Sequence, residues 1–125
     1  MPLQRTNYLC VPEAVGPYVH AEAHQGALHI SGLTTFATEA QAQVTDLQAR
    51  EIISQISAIA EEEGVSLTNL IKMTIFVTDL LALGELRSVL ADVYGDHRPA
   101  SSLVEVQKLF HPDLKIEIEA TLALT

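Results

Sequence analysis

The run "KIEIEATLAL" from Lys115 to Leu124 narrows the fold of this chain more than any other stretch. Its alternation places Ile116, Ile118, Ala120, Leu122 and Leu124 on one side of a strand and Glu117, Glu119, Thr121 and Ala123 on the other. The apolar set must face a core, so the carboxylates project from the opposite face of the sheet. A sheet covered on one face only calls for a helical layer on that face alone.

The other elements follow from similar reading. "GPYVHAEAHQGALHISGL" holds two short alternating runs split by Gly26, a hairpin pattern. From Asp46 to Glu63, Leu47, Ile52, Ile53, Ile56, Ile59 and Ala60 recur at helical spacing, and Gly64 closes the helix. "LIKMTIFVTD" reads as a strand with Ile71, Met73, Ile75 and Val77 on the core side and Lys72, Thr74, Phe76 and Thr78 opposite. A second helix runs from about Leu80 to Tyr94, burying Leu83, Leu86, Leu90 and Val93, and ends in "YGDHRP". Strands over Ser101 to Lys108 and Lys115 to Leu124 finish the chain. In the first of them, Ser102, Val104 and Val106 are expected on the core side and Ser101, Leu103, Glu105 and Gln107 on the free side.

The expected class is therefore α+β: one domain over residues 1–125, with two helices on one face of a single sheet. Its free face mixes Phe76 and Leu103 with carboxylates and hydroxyls. Such a surface is too apolar for solvent alone and too polar for a core, which points to a subunit interface with clefts in it. With 16 Asp+Glu against 7 Lys+Arg, the formal charge of −9 offers no cationic track for phosphates and disfavours nucleic-acid binding. No export signal or run of about 18 apolar residues is evident, so a cytoplasmic protein without a membrane span is expected. Cys10 is the only cysteine and reads as a small, at least half-buried thiol.

Five segments in order, "GPYVHA", "ISGL", "LIKMTIFVTDL", "VYGDHRPASSLVEV" and "KIEIEA", resemble the YjgF/Rid family, also called endoribonuclease L-PSP, over nearly the whole chain. The resemblance implies a chorismate-mutase-like fold, a homotrimeric barrel with three inter-subunit clefts, and hydrolysis of enamines and imines such as 2-aminoacrylate to a carbonyl compound and ammonia, without cofactor or metal. Carried over by position, it makes Tyr18 and Glu119 catalytic, Glu119 orienting a water. Ser31, Gly32 and Leu33 become a cleft wall, with Phe76 beside it. The family's carboxylate-binding arginine falls on Ser101, with Leu103 two residues on, so this chain is a divergent member lacking that anchor. Arg87 or Arg98 could replace it from another direction.

Each candidate has a plainer account. Glu119 could be a solvated strand carboxylate, Tyr18 a packed aromatic, and Ser101 and Ser102 turn hydroxyls satisfying backbone groups. Arg87 could be a surface arginine paired with Asp92. His20, Glu22, His24 and His29 stand too far apart along their strands to share one metal ion, and His97 reads as a cap on the second helix. Two functions thus compete: a deaminase of small imines with altered substrate recognition, and a non-catalytic trimeric module that binds a metabolite or a protein partner.

Overall fold

The computed structural model describes residues 2–125. Six strands, β1 (Gln4–Thr6), β2 (Ala21–His24), β3 (Ala27–Leu33), β4 (Leu70–Val77), β5 (Ala100–Glu105) and β6 (Ile116–Ala123), form one mixed sheet in the order β1-β2-β3-β6-β4-β5. Every pairing is antiparallel except β4 with β5, which the helix α2 (Leu83–Tyr94) connects as a crossover. The other helix, α1 (Thr45–Glu62), packs against β6 and α2. The chain's last strand thus lies in the middle of the sheet, joining the hairpin β2–β3 to the β4–β5 pair. Among the described residues no helix is long and apolar enough to cross a membrane.

β6 has the expected alternation. Ile116, Ile118 and Leu122 have no exposed surface and meet Ile52, Ile56 and Ile59 of α1 and Leu86 of α2 in one core. Gln25 and Gly26, at φ 50° and 79°, make the two-residue turn of the β2–β3 hairpin, where a right-twisted pair of strands calls for positive φ at both positions. Gly64 closes α1: its N–H donates to the Glu61 carbonyl, and Val65 N–H donates to Ala60, the paired bonds of a Schellman end.

Several expectations are corrected. Gln4–Thr6 adds an edge strand that its short polar sequence did not signal. Residues 80–82 form a separate 3-10 turn capped by Asp79, so the second helix starts at Leu83. Leu47 is exposed. A bulge in β4 pairs Leu70 with Leu122 and Lys72 with Thr121, leaving Ile71 unpaired; Leu70 takes the core position and Ile71 is exposed. The two faces of β5 are the reverse of those expected. Ser101, Leu103 and Glu105 align with Met73, Ile75 and Val77 on the helix side, and Ser102 and Val104 align with Thr74 and Phe76 on the free side. Leu103 packs on the core, while Ser102 lies 3.4 Å from Lys72 Nζ. Cys10 is exposed, because Tyr8 and Val11 are the residues of that segment that turn inward. Its thiol is pushed up by desolvation and by the Glu62 carboxylate, which favours the unreactive protonated form.

A fully buried amide fastens the loops to this frame. Gln48 Nε2 lies 2.8–2.9 Å from the carbonyls of Gln41, Gln43 and Asp113, its two hydrogens serving three acceptors, and Gln48 Oε1 accepts from Lys115 N–H. Replacing it with a similarly shaped apolar residue strands the Asp113 carbonyl and the Lys115 N–H, and leaves the Gln41 and Gln43 carbonyls only Thr35 Oγ1 and Lys115 Nζ as partners. We expect Gln48→Met to lower the unfolding free energy by about 3 kcal/mol in urea titrations; a loss below about 1 kcal/mol would show that water substitutes for the amide.

Candidate functional site

Between Ile30 and Leu33, β3 carries two residues where β6 carries one, a bulge made of Ser31 and Gly32. Ser31 is fixed there by its N–H to the His20 carbonyl and its hydroxyl to the Val19 carbonyl. The bulge bends the strand away from β6 and opens a cleft of about 280 Å³. Its lining combines the polar stretch Tyr18, Ser31, Gly32 and Glu117 with the apolar Leu33, Phe36 and Phe110.

Glu117 projects from β6 between two fully buried isoleucines, and its carboxylate lies against the backbone of Gly32. A Cβ at position 32 would overlap Glu117 Oε2 and come within 2.9 Å of its Cδ, so only glycine admits the carboxylate there. Desolvation, reinforced by the charge of nearby Glu119, holds the Glu117 carboxyl above its ordinary value. Among the described residues lining the cleft there is no Lys or Arg.

The segment that roofs the polar stretch is held by a buried histidine. His20 Nδ1 accepts the Tyr8 N–H at 2.8 Å, so the ring proton is on Nε2, which donates to the Pro12 carbonyl at 2.9 Å. The His20 N–H donates to Asn7 Oδ1, and the Tyr8 hydroxyl donates to Glu63 at the end of α1. His20 is thus a strap between the N-terminal segment and the cleft. The other histidine-strand residues are dispersed, with Glu22 paired to Arg5 at 3.0 Å and His29 beside the Thr121 hydroxyl.

The structure brings together Tyr18, Ser31, Gly32 and Leu33. Phe76 stands directly across from Glu117 on β4, on the same face. Glu119 is exposed in a separate depression with His29, Lys72, Thr74 and Thr121, so of the two β6 carboxylates it is Glu117 that lines the cleft, together with Glu13 from the N-terminal segment. Ser101 and Leu103 lie on β5, at the far edge of the sheet from β2. Arg87 and Arg98 are exposed and outside the cleft lining, and Asp92 pairs with Arg50 at 3.8 Å instead of with Arg87. His97 donates its backbone N–H to the Tyr94 carbonyl, and its side chain is exposed. Strand alternation had put both carboxylates of β6 on the free face, but choosing between them requires the bulge opposite, which has no sequence signature beyond "SG". Phe36 and Phe110, distant in sequence, carried no signal at all.

The Endoribonuclease L-PSP family matches residues 10–124. A 2-iminobutanoate/2-iminopropanoate deaminase of Salmonella typhimurium is 34% identical over 114 residues, 87% of this chain and 88% of that protein. The chain belongs to the YjgF/Rid family. A RutC family protein of Pyrococcus horikoshii is 33% identical over 113 residues, with 87% of this chain and 88% of that protein covered. Among solved structures, the YjgF gene product of E. coli superposes with a TM-score of 0.84 at 29% identity, covering 96% of this chain and 98% of that one. The yeast protein YEO7 gives 0.89 at 27% identity, covering 98% of both. The family's sheet and two helices are therefore those of this chain.

The raised proton affinity of Glu117 carries a stability consequence. A carboxyl held above its ordinary value in the folded state favours folding while protonated and loses that contribution as pH rises through its folded value. Glu117→Gln should therefore raise the melting temperature at pH 7, and the gain should vanish below about pH 4.5, the ordinary carboxyl value. Equal melting temperatures at both pH values would show that the carboxylate is solvated.

Proposed function

We propose that this protein is a hydrolytic deaminase of small enamines and imines, with Glu117 as the proton carrier. The observation that carries the reading is the desolvated Glu117 carboxylate seated against Gly32, beside Tyr18 and Ser31. The naming of relatives at about one-third identity as imine deaminases supports it.

Hydrolysis needs a group that first accepts and then returns a proton near neutral pH, and a carboxylate of raised proton affinity suits both roles. Glu117 removes a proton from water as the water oxygen bonds to the imine carbon, and the C=N π pair moves to nitrogen. That proton passes from Glu117 to nitrogen to complete the carbinolamine; Glu117 then takes the hydroxyl proton and delivers it to nitrogen as the carbonyl forms and the C–N bond breaks, so that nitrogen leaves as ammonia. An enamine enters the same path once its carbon is protonated. The Tyr18 hydroxyl and the backbone at Ser31 and Gly32 orient the substrate.

In this reading the working unit is a homotrimer in which the β5 edge of one subunit closes the cleft of the next, bringing Ser101 to the substrate while Leu103 stays packed on its own core. Ser101 then supplies a neutral contact where the family pattern has a cation. A charge-assisted hydrogen bond to a carboxylate contributes about 1.5–3 kcal/mol, so 2-aminoacrylate should be turned over poorly and Ser101→Arg should improve it more than tenfold. The second reading, a binding module without chemistry, is favoured by the lack of Lys or Arg in the described lining.

Ammonia release from freshly generated imines separates the two. Glu117→Gln should lower kcat/KM by at least a hundredfold, Gly32→Ala should approach that loss by displacing the carboxylate, and Glu119→Gln should retain turnover. Because the Glu119 charge helps hold Glu117 up, Glu119→Gln should also move the acid limb of the pH profile to lower pH. Full activity in Glu117→Gln would exclude the mechanism, and ligand binding with no hydrolysis in the parent would establish the second reading.

A further inference from the structure

The cleft that holds Glu117 is also lined by an aromatic pair. Phe36 and Phe110 meet edge to face, ring centroids 5.2 Å apart at 63°, and His111 backs Phe36 at 5.5 Å. Phe110 leaves 56% of its surface exposed, and the buried Leu33 adds to the apolar lining of the cleft. An edge-to-face pair with one open ring presents a preformed surface for a third apolar group.

This wall is held in place before any ligand arrives. Asp113 N–H donates to His111 Nδ1, Gln41 Nε2 donates to Asp113 Oδ2, and the buried Gln48 amide donates to the Asp113 carbonyl. The turn bearing Phe110 is thereby tied to α1, which lowers the ordering cost of binding against it. The volume of about 280 Å³ would hold roughly nine waters, so an alanine-derived imine leaves part of the cleft wet.

We infer that the preferred substrates are imines bearing an aromatic or branched apolar side chain, which stacks on Phe110 and Phe36 while the imine carbon faces Glu117. The inference rests on the hydrolase reading and names its substrate class. Phe36 and Phe110 are then specificity-determining residues that do not touch the reacting atoms.

The test uses imines released in situ by an amino-acid oxidase from phenylalanine, leucine and alanine, with kcat/KM measured for each. The parent should favour the phenylalanine-derived imine over the alanine-derived one by about tenfold, and Phe110→Ala should erase most of that ratio, chiefly through KM. Phe36→Leu should reduce it less. A ratio near one in the parent, or one unchanged by Phe110→Ala, overturns the inference and leaves the hydrolase reading standing. If no imine is hydrolysed, ligand-observed NMR with phenylpyruvate and pyruvate decides: tighter phenylpyruvate binding that depends on Phe110 sustains the aromatic wall and sinks the hydrolase reading. Equal binding of the two, or none, sinks the wall.

Discussion

Glu117 sits between Ile116 and Ile118, two residues with no exposed surface, on the strand that joins both halves of the sheet. Those isoleucines fix the carboxylate more firmly than any bond of its own could. A slip of one residue in β6 would turn every isoleucine to the free face and bury both glutamates, so register and the placement of Glu117 are one constraint. The same strand leads directly out of the turn that Gln48 fastens to α1 through Lys115 and Asp113. Core packing, loop anchoring and cleft geometry therefore share a few residues near the start of β6.

The cleft exists because β3 departs from regular pairing opposite this point. An unbroken β3 would lie flat against β6 and leave no space above Glu117. The extra residue at Ser31–Gly32 bends it, and the absence of a side chain at Gly32 lets the carboxylate fill the gap without touching water freely. The arrangement holds a carboxylate where burial and a like charge both oppose ionisation. Stability at neutral pH is reduced in the same place where proton transfer is made available, a coupling expected where a site needs a perturbed acid.

How much of this was legible in the sequence divides along physical lines. Strands with one wholly apolar face announce themselves: β6 did, and the α1 stripe with its closing Gly64 did too. β5 did not, because Ser101, Leu103 and Glu105 are no more apolar as a set than Ser102, Val104 and Val106; its phase is set by parallel pairing with β4, a long-range fact. Ile71 was misplaced because a bulge changes which residues face the core without changing composition. At the cleft, contiguous motifs pointed to Tyr18, Ser31 and Gly32, which the fold brings together, whereas alternation alone could not separate Glu117, which lines the cleft, from Glu119 two residues on, its twin in face and charge. The aromatic wall joins positions 36 and 110 through the tertiary fold alone.

Charge finally bears on which ligands the cleft can accept. The chain carries a formal charge of −9, and Glu13 and Glu117 line the cleft with Glu119 close by and no Lys or Arg among its described lining. A ligand carboxylate entering without a cation would add a further negative charge near Glu117, raising its proton affinity. In the proposed trimer, serine at position 101 would bring no charge to keep Glu117 ionised beside an anionic substrate. A ligand held mainly by its apolar side chain, with its charge directed to the open mouth, avoids this penalty. On the proposed reading, a lining without Lys or Arg and with Phe36 and Phe110 favours recognition by apolar surface over recognition by charge.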